Sequence, residues 1–450
     1  MQAIARFFLA TVVFQTDCYL SRWDTTVAAL GQIPRDTARS IAYDSSTMKT
    51  LLLLPVALLT LLVPLALADD KSKAIQGDTQ KDEGRVLFAK PDPSKGSGYR
   101  TEVAAGEVKI PVVVVKGTPY EMGYHLGKLT RDEMKEFVTP ALDGVKKELG
   151  VTNEVLCEVW ARTSAYADQR VAQELAGLAD GSGIPLSTLQ AFHAVSILMP
   201  YSCSSIAAWG KATTDGHLYQ TRNLDWSMKV GAHNYPVIVV YVPNEGIPHV
   251  IPSFAGVIGA HTGMNARGIA LSEMGDAPAK EAPYQVHAPH FTVFFRTMLY
   301  DADSLTKALD IFKAQPMTKK YHFVFGDGQK ELRAVKVRTL SSEPKDKQIA
   351  VWKDNDPTDE FAPNVLSSCV YNDEGRGAFP TLQSQHGKLD AEAMMALAKK
   401  IPIKGGNVVI AVYDATALKM WVSYAHDKTE AYLRPFALVD LNQYFNVAKK

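Results

Sequence analysis

Cys203, Arg222 and Asp225 are the residues whose types and spacing hold the most chemistry in this chain. The segment YSCSSIAAWG (201–210) puts a cysteine where helical sequence gives way to strand sequence, and KATTDGHLYQTRNLDW (211–226) follows it directly. A thiol attacks as its thiolate, and a nearby cation favours that form, so Arg222 is placed to lower the cysteine pKa. Asp225 is suited to hold an amine, or the guanidinium itself, in position. A hairpin brings the three together: strands at 205–213 and 217–223 flank Asp215-Gly216, a strong tight-turn signal. Pairing about that turn returns residues near 222–228 to residues near 203–209. Because side chains alternate between faces, a two-residue turn does not aim both Arg222 and Asp225 at the cysteine. That requires a bulge or an early end to the strand.

The elements around this hairpin read as helices before it and strands after it. EVKIPVVVVK (107–116) is a β-branched run, expected as a buried strand that ends at Gly117. Pro119 opens a helix through Leu129. Asn153 is expected to cap a long helix that stops at Gly181 and Gly183, and Pro185 opens another. Strands are expected at 237–242, 268–273, 322–325, 332–337, 348–352, 407–412 and 420–424, with helices at 291–300, 304–315 and 390–401. No internal repeat is present. The fold class is α+β with mainly antiparallel strands, residues 106–450 forming one domain.

Composition narrows the function classes. The 450 residues carry 48 basic and 48 acidic side chains, a formal charge of zero, which is not the footprint of a nucleic-acid binder. Cys18, Cys157, Cys203 and Cys369 are too few for a disulfide-stapled scaffold, and no two lie within zinc-finger spacing. Cys157 and Cys369 read as buried apolar residues, a disulfide between them being the alternative. His287 and His290 have metal-like spacing, but they sit in a Pro-flanked stretch without a third ligand, so neither a metal nor any other cofactor is expected. Residues 51–68, LLLLPVALLTLLVPLALA, are uncharged, follow Lys49 and end on Ala66-Leu67-Ala68. They read as a signal peptide starting at Met48, which makes residues 1–47 a non-native upstream extension and the protein secreted or periplasmic. A transmembrane anchor is the alternative, disfavoured by the two prolines, and no stable span is expected in the mature form. Residues 69–105 read as a flexible linker.

CSSIAAWGKATTDGHLYQTRNLDW resembles the start of the mature chain in cysteine-type N-terminal nucleophile hydrolases, most of all the penicillin acyltransferase-like peptidases. Bile salt hydrolases and acid ceramidase are more distant relatives. GTPYEMG (117–123) with Gly127, LAGLADGSGIPLSTL, TGMNARGIALSEMG, YHFVFGDGQKELRAVKV and GGNVVIAVYDATALKMWVSYA match further family segments in order. The resemblance implies a four-layer αββα sandwich and a precursor that cuts itself between Ser202 and Cys203. Residues 106–202 would then form an α piece and 203–450 the catalytic β piece.

By the same resemblance Cys203 is the nucleophile, and its freed α-amine the base; such an amine titrates near neutrality. Asp225 would accept from that amine, and Arg222 would sit beside the thiolate and the acyl group. Asn265 and Glu273 would line the substrate pocket, Asn265 reading equally as a turn residue before Gly268. Relatives often carry a Thr-Asn pair for the oxyanion; this chain reads VLSSCVYN there, and Asn372 is the nearest candidate. The expected substrate is a small N-acyl amide or peptide. Two alternatives remain open at this point, a papain-like cysteine peptidase and a catalytically inactive binding protein on the same fold.

Overall fold

The protein is described by a computed structural model over residues 92–198, 202–275, 285–340, 348–354, 356–364, 366–373 and 375–445. The expected upstream extension, the signal segment and the linker as far as residue 91 lie outside the described residues. Strands β1 (Ser97–Ala105) and β2 (Val108–Gly117) pair antiparallel across Gly106, which takes φ +61°. This corrects the end of the linker. Ser97–Ala105 has the polar composition of a tether, but the valine-rich strand beside it gives its backbone a complete ladder.

Five helices follow: α1 (Pro119–Leu129), α2 (Arg131–Leu149), α3 (Asn153–Ser164), α4 (Gln169–Ser182) and α5 (Leu186–Leu198). The long helix expected from Asn153 is two helices. Thr152, not Asn153, caps α3 by accepting from the Val155 N–H, and Asp168 restarts the chain as the cap of α4. Gly123 and Gly127 on α1 face Gly177 and Gly181 on α4. A Cβ on Gly123 would lie 2.0 Å from the Glu174 carbonyl oxygen, and one on Gly177 the same distance from that of Tyr120. The two glycine-bearing sequence segments are thus the two sides of one close helix crossing.

Next come β3 (Ser202–Ala208), β4 (Tyr219–Asp225), β5 (Pro236–Pro243), β6 (His249–Phe254), β7 (Thr262–Asn265) and β8 (Ile269–Gly275). Then follow α6 (Phe291–Asp301), α7 (Leu305–Ala314), β9 (Tyr321–Asp327), β10 (Arg333–Thr339), β11 (Ile349–Trp352) and β12 (Cys369–Asn372). The chain continues through α8 (Ala378–Ser384), α9 (Ala391–Ala398), β13 (Asn407–Asp414), β14 (Lys419–Tyr424), β15 (Ala437–Asp440) and α10 (Asn442–Phe445).

The strands form two sheets. One has the order β1-β2-β5-β6-β7-β8-β9-β10-β11, the other β12-β3-β4-β13-β14-β15. Every neighbouring pair is antiparallel except β2 with β5. The sheets pack face to face, β3 and β4 against β8 and β3 also against β9. Helices α1, α6 and α7 cover the larger sheet, and α9 lies on β4 and β13 of the smaller. This is the expected four-layer αββα sandwich of mainly antiparallel sheets. Strands β4, β9 and β13 are buried along their whole length, so both faces of the central strands are packed. No helix among the described residues is long and apolar enough to cross a membrane.

The helix crossing gives a direct test. Gly123→Ala or Gly177→Ala should destabilise the full chain by about 1–3 kcal/mol or more, because the new methyl meets backbone that cannot move aside. Gly144→Ala, exposed within α2 and with open space at its Cβ, should instead raise stability by up to about 1 kcal/mol. Thermal unfolding of the three variants separates these outcomes.

Candidate active site

The site is built on the two central strands β3 and β4. The turn at Asp215-Gly216 is not a two-residue hairpin. Residues 209–218 form the connection, containing a short 3₁₀ turn at Gly210–Ala212, and the Trp209 N–H donates outward to the Ser368 carbonyl. The register therefore shifts from the expected one: Ser202 pairs with Asp225, Cys203 with Leu224 and Ser205 with Arg222. Opposed residues share a face and alternate along the strand, so Cys203, Ser205, Arg222 and Leu224 look the same way. That way is towards the other sheet. Gln220, next on this face, donates from Nε2 to the Ala270 and Val324 carbonyls and to Ser272 Oγ.

Arg222 Nη2 donates to Cys203 Sγ at 3.0 Å. The same nitrogen lies 3.7 Å from Glu273 Oε2 on β8, and both side chains are fully buried. Asn372 on β12 pairs with Ser205, so it lies on this same face, and it is buried. Asn223 points the opposite way and donates to the Ala398 carbonyl of α9.

Asp225 ends β4, and its carboxylate is held by three groups. Oδ1 accepts from Asn407 Nδ2 at 2.9 Å, and Oδ2 accepts from the Ile403 N–H at 3.0 Å and from Arg376 Nη1 at 3.5 Å. The bulge that would aim Asp225 at the cysteine is absent from this hairpin: β3 and β4 pair without a slip, and Asp225, opposite Ser202, lies by alternation on the other face from Cys203 and Arg222. The β13–β4 register slips between Asn407 and Val409, which turns Asn407 onto Asp225. Arg376 also donates from Nη2 to the Cys203 carbonyl at 2.8 Å. The loop carrying it is fixed by Asp373, whose carboxylate accepts from the Gly375 and Ala378 N–H groups. Arg376 and Asn407 were not anticipated from sequence. The signal for Arg376 was an arginine bracketed by Gly375 and Gly377, both with positive φ.

Burial dominates the electrostatics. It pushes the Cys203 thiol well up; Arg222 pulls it down, while Glu273 and Asp225 add to the rise. In the continuous chain burial thus works against the thiolate and the Arg222 cation works for it. Burial also raises the Asp225 carboxyl to about 6 against the pull of the Ile403 N–H, Asn407, Arg376 and Arg222. Beside this cluster Leu224, Trp226, Phe254, Phe291 and Arg222 line an apolar pocket of about 100 Å³.

Two expected pocket residues are placed differently. Glu273 is the buried counter-charge of Arg222 rather than part of the pocket wall. Asn265 spends its whole amide on backbone. Nδ2 donates to the Leu299 and Ala302 carbonyls, and Oδ1 accepts from the Arg267 and Ile269 N–H groups, bracing the β7–β8 turn against α6. The alternative of a Cys157–Cys369 disulfide is also corrected: all three described cysteines are free, and Cys157 Sγ donates to the Ser187 carbonyl. Among the described residues no histidine hydrogen-bonds Cys203.

No family model matches the chain. It is 28% identical over 305 residues to Protein dcd1B of Dictyostelium discoideum, a match covering 62% of this chain and 59% of that protein, so the chain spans about three fifths of the relative's length. Among solved structures it is similar to an N-acylethanolamine-hydrolyzing acid amidase ortholog of Caenorhabditis elegans, at 16% identity and a TM-score of 0.38, over 53% of this chain and all of the other. It is also similar to a penicillin V acylase of Agrobacterium tumefaciens, at 11% identity and a TM-score of 0.37, over 54% of this chain and 87% of the other.

The raised Asp225 pKa makes a prediction about pH. A carboxyl at about 6 in the fold and at its ordinary 3.8 when unfolded contributes stability that is complete below the lower value and is lost as pH rises through the upper one. The loss is about 3 kcal/mol. In a Cys203→Ala background the chain should lose stability between about pH 4 and 6, and Asp225→Asn should lack that share of the slope. Denaturant midpoints at the two ends of the range measure it.

Proposed function

We propose that this chain is a self-processing amide hydrolase that acts on small N-acyl compounds through an acyl-cysteine intermediate. The observation that carries this reading is the placing of Cys203 at the head of β3, with Arg222 on its sulfur, Arg376 on its carbonyl and Asp225 opposite the residue before it. The ordered family motifs support the same reading.

In the precursor, Cys203 Sγ attacks the carbonyl carbon of Ser202. The thiol proton passes to the departing amide nitrogen, leaving a thioester to the Ser202 acyl group and a free α-amine on Cys203. Water then cleaves the thioester and restores the thiol. The new amine arises where Asp225 pairs with Ser202. Three groups already bind the Asp225 carboxylate, and two oxygens offer about four acceptor positions, so one is left for the amine. In turnover the α-amine takes the thiol proton, since its pKa near neutrality suits a general base. The thiolate attacks the substrate amide, the amine product leaves with that proton, and water releases the acid. Arg222 lies against the sulfur and holds negative charge there. Acyl-amino acids, lipid amides, acyl-lactams and short peptides are the substrate class. With residues 48–68 as an export signal, the work is done outside the cytoplasm.

The cut would not separate the pieces. Strand β2, before it, is sandwiched between β1 and β5 in one sheet. Glu174 of α4 also holds Arg296 of α6 by two buried hydrogen bonds of 2.8 and 2.7 Å. Purified protein should therefore give a fragment beginning at Cys203 by mass spectrometry under denaturing conditions, while gel filtration returns one species. Cys203→Ala should give one uncut, inactive chain. A wild type that stays uncut, or a Cys203→Ala chain that is still cut and active, would overturn the reading.

A further inference from the structure

Three residues that line the apolar pocket at Arg222 hold nitrogen atoms that the surrounding protein leaves unsatisfied. Arg222 Nε and Nη1, His261 Nε2 and His290 Nε2 are all buried without a hydrogen-bond partner, and all three residues line this pocket. The side chains are 0%, 8% and 3% exposed. Buried polar atoms are nearly always paired, and one left unpaired costs about 1–3 kcal/mol. A third histidine on the wall shows the contrast. His193 Nδ1 meets the Leu189 carbonyl at 2.8 Å, and its Nε2 accepts from the Ile258 N–H at 3.1 Å, so that ring is fully used.

The His290 ring is held by its other edge and the His261 ring by its face. His290 Nδ1 meets Thr292 Oγ1 at 2.9 Å and Ser196 Oγ at 3.4 Å. The His261 ring stacks on Phe254 at 5.9 Å between centroids. Burial keeps both rings neutral: it drives His261 well down, helped by the Arg222 charge, and puts His290 at about 3. A neutral ring presents an N–H or a lone pair at Nε2 according to tautomer. A hydroxyl meets either, whereas a carboxylate, being acceptor-only, meets only the N–H form. The pocket, about 100 Å³, is well under the roughly 300 Å³ at which sites for drug-sized ligands begin.

We propose that this pocket selects a short acyl group bearing a hydroxyl, received by His261 and His290 as specificity-determining residues, the acyl carbonyl lying towards Arg222 and Cys203. This rests on the amide-hydrolase reading above and adds the substrate's acyl class to it. An unsubstituted alkyl chain fills the same space and leaves both Nε2 atoms unpaired. The expected discrimination is about tenfold or more, the cost of one orphaned hydrogen bond.

The test is calorimetric binding to the full-length Cys203→Ala chain. The ligands are the N-methyl amide of hexanoic acid and its hydroxyhexanoic isomers, with the hydroxyl moved along the chain. At least one isomer should bind about tenfold or more tighter than the parent. His261→Phe or His290→Phe should level the two, and His261→Gln, which keeps a hydrogen-bonding edge, should restore part of the difference. The proposal is overturned if no isomer binds more tightly than the parent, if no ligand binds, or if the preference survives both phenylalanine variants. The ligand series decides the matter without the variants should either fail to fold. Preferential binding by a protein whose wild type cleaves no amide would sink the hydrolase reading and leave the pocket standing. Amide cleavage without hydroxyl preference would do the reverse.

Discussion

A guanidinium sealed between two sheets is the constraint on which the site depends. Arg222 is fully buried, with Cys203 on one side and Glu273 on the other. Burying such a charge is costly unless it is paired and hydrogen-bonded, and removing one partner of a buried pair costs more than the pair itself contributes. The smaller sheet supplies the thiol and the cation, and the larger sheet supplies the carboxylate. The sheets must therefore meet in one relative position before the cation has a counter-charge. Gln220, bonded across to β8 and β9, fixes the same alignment one step along β4.

Much of the architecture was legible in the sequence because periodicity and caps are local signals. The strands at β5, β8, β9, β10, β11, β13 and β14, and the helices α1, α5, α6, α7 and α9, stand where hydrophobic patterning and the Pro119 and Pro185 helix starts placed them. The four-layer arrangement followed from the family resemblance. What was misplaced is non-local. Register across β3 and β4 depends on how residues 209–218 fold back on Ser368 and Gly216, which no turn dipeptide encodes. Strands β6, β7, β12 and β15 are short or interrupted by proline and small residues, and they become strands only because a neighbour offers a ladder.

The same distinction runs through the site. Cys203, Arg222 and Asp225 were visible because they share one hairpin. Arg376 and Asn407 come from separate loops and a bulge in β13, and only the folded sheet brings them to the strand end. Glu273 was found for a pocket role, yet it serves as a counter-charge, and Asn265 proved to be a turn brace. An asparagine that satisfies four backbone groups and one that binds substrate carry the same letter in the same Asn-x-x-Gly segment, and the sequence alone does not separate them.

The parallel pairing of β2 with β5 has one more consequence. A sheet assembled from both sides of Ser202–Cys203 can form as a single-molecule event only while the backbone is whole. If the bond is severed as proposed, unfolding would release two molecules, and recovery would depend on their meeting at low concentration. The mature protein would then persist by the slowness of its unfolding rather than by reversible equilibrium, and it would tolerate harsh surroundings only until it first opened.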